Sequence, residues 1–181
     1  MIRIFSVLAT FAGMSMAATL VLGLLLGDLR QQPAPETMRW ATVHRLSGVA
    51  AALAVVLVAS IVVTYFIGTS RWCREVAEAY ALDPALVRRS VIAKRKAFPW
   101  AASAMLVSVG IVALGGAADP ATLRSGTENW VTPHLLGAFA GMGFILFSFW
   151  MLSDYIRQQN AVINETMAEV RRIRVERGLG V

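Results

Sequence analysis

Residues 46–70 read "LSGVAAALAVVLVASIVVTYFIGTS", a stretch without one formal charge. At 1.5 Å rise per residue, about 20 apolar residues cross a hydrocarbon core about 30 Å thick. Backbone N–H and C=O groups in lipid must be satisfied within the segment, so an unbroken run of this length reads as helix. Three further stretches are equally free of formal charge: Ile4–Gly27, Ala97–Ala118 and Asn129–Ser153. The expectation is an all-α integral membrane protein, a four-transmembrane-helix up-down bundle. Its spans are placed at about 4–27, 41–70, 97–118 and 131–153 by the same length rule.

Composition agrees. Hydrophobic residues are 57% of the 181-residue chain and charged residues 15%, whereas a soluble domain carries about 25% charged residues to coat its surface. The first stretch starts like a secretory signal, "MIR", and contains "SMAA". Its apolar run continues through "TLVLGLLLG", past the length of a signal core, so it reads as a retained helix.

The net charge of +6 does not point to nucleic acid, because the basic residues crowd beside the spans, where they set topology and meet anionic lipid headgroups. Arg71, Arg74, Arg88, Arg89, Lys94, Arg95 and Lys96 lie between spans two and three, and Arg157, Arg171, Arg172, Arg174 and Arg177 follow span four. Between spans three and four stands only Arg124, offset by Asp119 and Glu128. Lys and Arg collect on the cytoplasmic side. The expected location is an inner (cytoplasmic) membrane, multi-pass, with N- and C-termini cytoplasmic. The segment "DLRQQPAPETMRW", with Arg30, Arg39 and Arg45 near it, is then outside by alternation.

Residues 1–155 are expected to form the four-helix transmembrane domain, with a cytoplasmic helical hairpin at 71–96. Asp83-Pro84 supplies an N-cap and a first-turn proline for the second arm of that hairpin, which is expected to end before Pro99. Residues 156–181 are expected to be a cytoplasmic amphipathic helix. Ile156, Ile163, Met167, Val170 and Arg174 make its stripe, which packs on a neighbour within the same chain, and Gly178 and Gly180 are its stops. Cys73 has no second cysteine, which excludes a disulfide oxidoreductase and any thiolate cluster.

One phrase occurs twice. Residues 40–46 read "WATVHRL" and 130–136 read "WVTPHLL", and His44 and His134 are the only histidines. Each opens an even-numbered span at the outer end, so the chain is a candidate parallel repeat of two helix pairs. Residues four apart share a helix face, which stacks Trp40, His44 and Gly48 on one helix. Trp130, His134 and Ala138 stack on the other, with Gly137 and Gly141 close by. Trp40 and Trp130 read as aromatic-belt anchors.

Two imidazoles at one depth, followed by small residues, suit a bis-histidine haem, whose flat macrocycle lies against the backbone. On this expectation His44 and His134 are axial iron ligands and Gly48, Gly137 and Gly141 make room. Arg45, Arg39 or Arg124 pairs with the propionates, and Thr42 and Thr132 hydrogen-bond an imidazole or a propionate. Zinc and copper sites want three or four ligands, which leaves one haem b as the cofactor. In these residues the chain resembles the single-chain four-helix membrane b-type cytochromes. The resemblance implies electron transfer at the outer, periplasmic face with a periplasmic cytochrome or quinone. Many of those cytochromes carry a second histidine pair at the opposite face; this chain has none, so it holds no bis-histidine relay.

Two other readings stand beside that one. The first is a cofactor-free structural or assembly subunit of a larger membrane complex, with other subunits or a second copy as partner besides membrane lipid. The second is a small-molecule or quinone pocket lined by the two histidines. The spans hold no ionisable residue besides the histidines from which to build a proton relay, and nothing in the sequence marks an independent catalytic activity.

Overall fold

The structure, a computed structural model, describes residues 1–26, 29 and 34–179. Gly27 at the end of the first expected span, Arg30 and the Gly180 stop lie outside the described residues. The protein is an all-α four-helix bundle of α1 (Ile2–Leu25), α2 (Pro35–Tyr80), α3 (Pro84–Ala118) and α4 (Val131–Glu176). Two 3₁₀ turns, Pro120–Thr122 and Thr127–Trp130, connect α3 to α4. All four helices are long and apolar enough to cross a membrane, in keeping with lipid contact along a multi-pass protein.

The core runs along a face of small residues on α3. Ala97, Ala101 and Ala104 are fully buried and Ala93 nearly so. Side chains ending at Cβ let α2 and α4 close on α3 without large knobs between them. Val55, Val58, Ala59, Val62 and Phe66 of α2 and Ile145, Phe149, Leu152 and Ile156 of α4 fill the space around that face. From α1 only Phe5 and Ala12 are buried; Phe5 meets Phe149 edge-on, ring centroids 6.0 Å apart.

Both α2 and α4 run unbroken past their apolar stretches. The middle hairpin is therefore the continuation of α2 and the start of α3, turned at residues 81–83. Ala81 takes a left-handed conformation (φ 53°), and the Leu82 N–H donates to the Ala77 carbonyl at 2.9 Å, closing the helix end as a Schellman-type cap does. The Asp83 carboxylate accepts from the Ala85 N–H at 2.7 Å, with Pro84 in the first turn, as the sequence leads one to expect. The second arm does not stop at Pro99: α3 carries Pro99 in its interior. A proline inside a helix costs about 3 kcal/mol. Here the fully buried Ala97 and Ala101 on either side pin the helix to its neighbours, and packing outweighs that cost.

The end of α4 lies on the hairpin. Val170 packs with Ala77, Leu82 and Leu86, so the tail is covered by its own chain. Its buried face is Ile156, Gln159, Val162, Thr166 and Val170, whereas Met167 is exposed. A polar layer sits under it: Ser70 and Ser90 share a hydrogen bond at 2.9 Å, and Gln159 Nε2 lies 3.8 Å from Cys73 Sγ. Outside, the Arg89 guanidinium forms an ion pair with Glu165, its second contact at 2.9 Å. Trp40 and Trp130 stand at the histidine end, the usual placement at a membrane interface, and Trp100 packs edge-on against Phe147, ring centroids 5.3 Å apart.

Two outcomes test this packing. Ala101→Leu forces an isobutyl group into the closed α3 seam and should cost about 1–3 kcal/mol, read as a lowered midpoint in detergent unfolding followed by circular dichroism. Hydrogen bonds from Arg89 hold the Glu165 carboxyl below its ordinary range. A carboxyl so lowered adds stability above its unfolded pKa, about 4.3, and the gain is lost as pH falls through the folded value. The pair is half-exposed and the effect small. Glu165→Gln should remove that acid-sensitive part of amide protection in residues 160–176, seen by hydrogen exchange below about pH 4.5.

Candidate functional site

At the histidine end the four helices separate around a cavity of about 740 Å³. It reaches along α2 from Ala41 to Val55, roughly 21 Å at 1.5 Å per residue. Its walls are mainly apolar, with Met16, Leu20, Ala52, Val55 and Met142 among them. His44 and His134 both line it, and their ring centroids stand 6.4 Å apart with planes at 72°.

Each imidazole is seated on a glycine of the preceding helix. A Cβ added at Gly23 of α1 would lie 2.7 Å from His44 Cε1, and one added at Gly115 of α3 would lie 3.0 Å from His134 Cε1. The carbonyl four residues before the glycine faces the ring in both halves. His44 Nδ1 is 3.0 Å from the Thr19 oxygen, a contact in which the imidazole N–H donates and the carbonyl accepts. In the other half the Ile111 carbonyl is near enough to act on His134, but His134 Nδ1 is buried without completing a hydrogen bond. The repeat therefore extends beyond the Trp-Thr-His-Leu phrase. "TLVLG" (19–23) and "IVALG" (111–115) both end in Leu-Gly, and that pair of residues was the available sign of the two seats.

The other expected residues are divided. Gly48 lines the cavity, and a Cβ there would meet Thr19 Cγ2 at an ordinary 3.5 Å. Gly137 and Gly141 serve helix packing instead: a Cβ at each would lie 2.7 Å from Leu114 Cδ1 and 2.6 Å from Ile111 Cδ1. Arg45 is committed to Asp119, Nη1 to Oδ1 at 3.0 Å and Oδ2 at 3.2 Å, and its Nη2 donates to Thr42 Oγ1 at 3.0 Å. Asp119 also accepts from the Ala121 N–H, and sequence reasoning had not placed it at the rim. Thr132, Arg39 and Arg124 are exposed.

This donor set corrects the haem expectation. Among the described residues no group of three or more His, Cys, Asp or Glu side chains gathers to hold a metal ion. Among the described residues that line the cavity the one carboxylate is Asp119, already paired with the arginine assigned to a propionate. Cys73 lies 29 residues from His44 on the same helix, about 44 Å away. The assignments of haem b, iron or other metal binding, cytochrome b character and electron transport through His44 and His134 are withdrawn on this finding, and with them the resemblance to membrane b-type cytochromes. The chain matches no protein-family model, no curated protein and no solved structure in the comparisons made.

The seats are testable. Gly23→Ala and Gly115→Ala should each displace an imidazole and cost about 1–3 kcal/mol by overpacking, while Gly48→Ala should stay within about 0.5 kcal/mol of the parent. Thermal unfolding in detergent, with histidine ring nitrogen shifts from NMR, separates the three.

Proposed function

We propose that the protein is a cofactor-free structural or assembly subunit of a larger membrane complex. One observation carries this reading. Apolar side chains exposed along the spans are covered by lipid, but Met167, Val175 and Leu179 are exposed beyond the last apolar stretch, where lipid does not cover them. They stand on an extension braced by the hairpin, by Val170 and by the Arg89–Glu165 pair. That extension carries exposed apolar side chains among arginines, a composition that suits a protein partner.

By the distribution of Lys and Arg, the extension and both termini face the cytoplasm of a bacterial inner membrane, and the histidine cavity faces outward. Other subunits of a complex, or a second copy, are the partners this reading calls for; a periplasmic cytochrome loses its motive with the haem. Native mass spectrometry of the tagged protein, extracted from its own membrane in mild detergent, should show a stoichiometric assembly above the 19.6 kDa chain. Met167→Glu with Val175→Glu should release the chain from it. A lone chain in native extracts, or an assembly indifferent to both substitutions, would overturn the proposal.

A further inference from the structure

The cavity holds more chemistry than a structural subunit requires. Among the described residues its charged side chains, Arg45 and Asp119, neutralise one another at the rim, so that pair offers nothing to an occupant's charge. An acyl chain would fill the apolar length and leave the imidazoles unserved, and buried polar groups are costly without partners.

The ring nitrogens define what is missing. His44 Nδ1–H is spent on the Thr19 carbonyl, which leaves Nε2 of a neutral ring as an acceptor. His134 Nδ1 completes no hydrogen bond, although the Ile111 carbonyl faces its ring, so its tautomer is held less firmly than that of His44 and its Nε2 can donate or accept. The pair is one fixed acceptor beside one adaptable group. A hydroxyl donor satisfies the first, and a second oxygen of either character satisfies the other. Gly48 and Gly116 on the walls present backbone without side chains, which suits a flat ring, and the apolar length toward Val55 and Met142 accepts a tail.

We propose that the cavity binds the head of an uncharged, lipid-soluble quinol, with one ring hydroxyl donating to His44 and the other oxygen on His134. The proposal concerns binding alone and is independent of the subunit reading, since a lone chain has the complete cavity. It makes an unusual demand: the quinol binds better than its quinone, which has no hydroxyl for the fixed acceptor.

The probe is a decyl-substituted benzoquinol, kept reduced under argon, with the matching benzoquinone as comparison. Both are titrated at about pH 8, above the ordinary imidazole pKa, into the purified full chain in nanodiscs, with empty nanodiscs as the partition control. The expected result is saturable one-to-one uptake with the quinol at least tenfold tighter than the quinone. His44→Leu should abolish that preference. Gly116→Trp fills the cavity from a position where an added Cβ meets nothing within 4 Å, and it should weaken both probes at least tenfold. Uptake that matches empty nanodiscs, equal affinity for the two probes, or full binding by Gly116→Trp would each overturn the proposal. Should either variant fail to fold, the preference of the unaltered protein for quinol over quinone decides.

Discussion

Close approach of helices along the alanines of α3 is the constraint on which the molecule rests. Association in lipid cannot draw on the hydrophobic effect between helices and depends on tight van der Waals packing. Ala93, Ala97, Ala101 and Ala104 supply it by offering no bulk, and Phe66, Ile145 and Leu152 are buried because that seam brings their helices together. The same closure keeps α3 helical through Pro99. The cavity lies at the histidine end, past the alanine seam, with residues of all four helices in its lining.

The two ends apply one rule to different effect. At the basic end, polar groups inside the bundle are brought together: Ser70 with Ser90, and Gln159 with Cys73. At the histidine end the two imidazoles stand side by side within mainly apolar walls, their ring centroids 6.4 Å apart, each set on the glycine of a different helix. A glycine there removes the Cβ that would stand beneath the ring and gives the imidazole access to the helix backbone, where Thr19 offers its carbonyl. Buried polar groups that find partners rigidify a core; among the described residues, His134 Nδ1 at one end and Gln159 Oε1 at the other are buried without one.

Much of the architecture was legible in the sequence because charge-free runs and their lengths obey lipid physics residue by residue. The all-α four-helix class follows from those runs, and the cap at Asp83-Pro84 from local chemistry. What failed depended on contacts between helices. Gly137 and Gly141 looked like room beside His134, but they lie under Leu114 and Ile111, a relation fixed by the crossing of α3 and α4 and invisible along α4 alone. The real seats, Gly23 and Gly115, lie 21 and 19 residues before their histidines, beyond the reach of a four-residue periodicity. Haem was inferred from two imidazoles and small neighbours. Arg45, the cation assigned to a propionate, turned out to be spent on Asp119, a partner 74 positions away in sequence. Pro99 was read as a helix stop because its local cost is visible in the sequence and the packing that offsets it is not.

The 46-residue lengths of α2 and α4 have a mechanical meaning. Each is a rod about 69 Å long with an imidazole near one end and the basic extension at the other. Proline is one cause of kinks, and α2 has none after its first residue while α4 has one only in its first turn; both helices run unbroken from end to end. A tilt of about 5° pivoted at the histidines would swing the far end by roughly 5 Å, given the length beyond them. The two ends of the bundle are thus joined by continuous helices, and a tilt of one of them at the cavity would be felt at the opposite end as a lateral displacement.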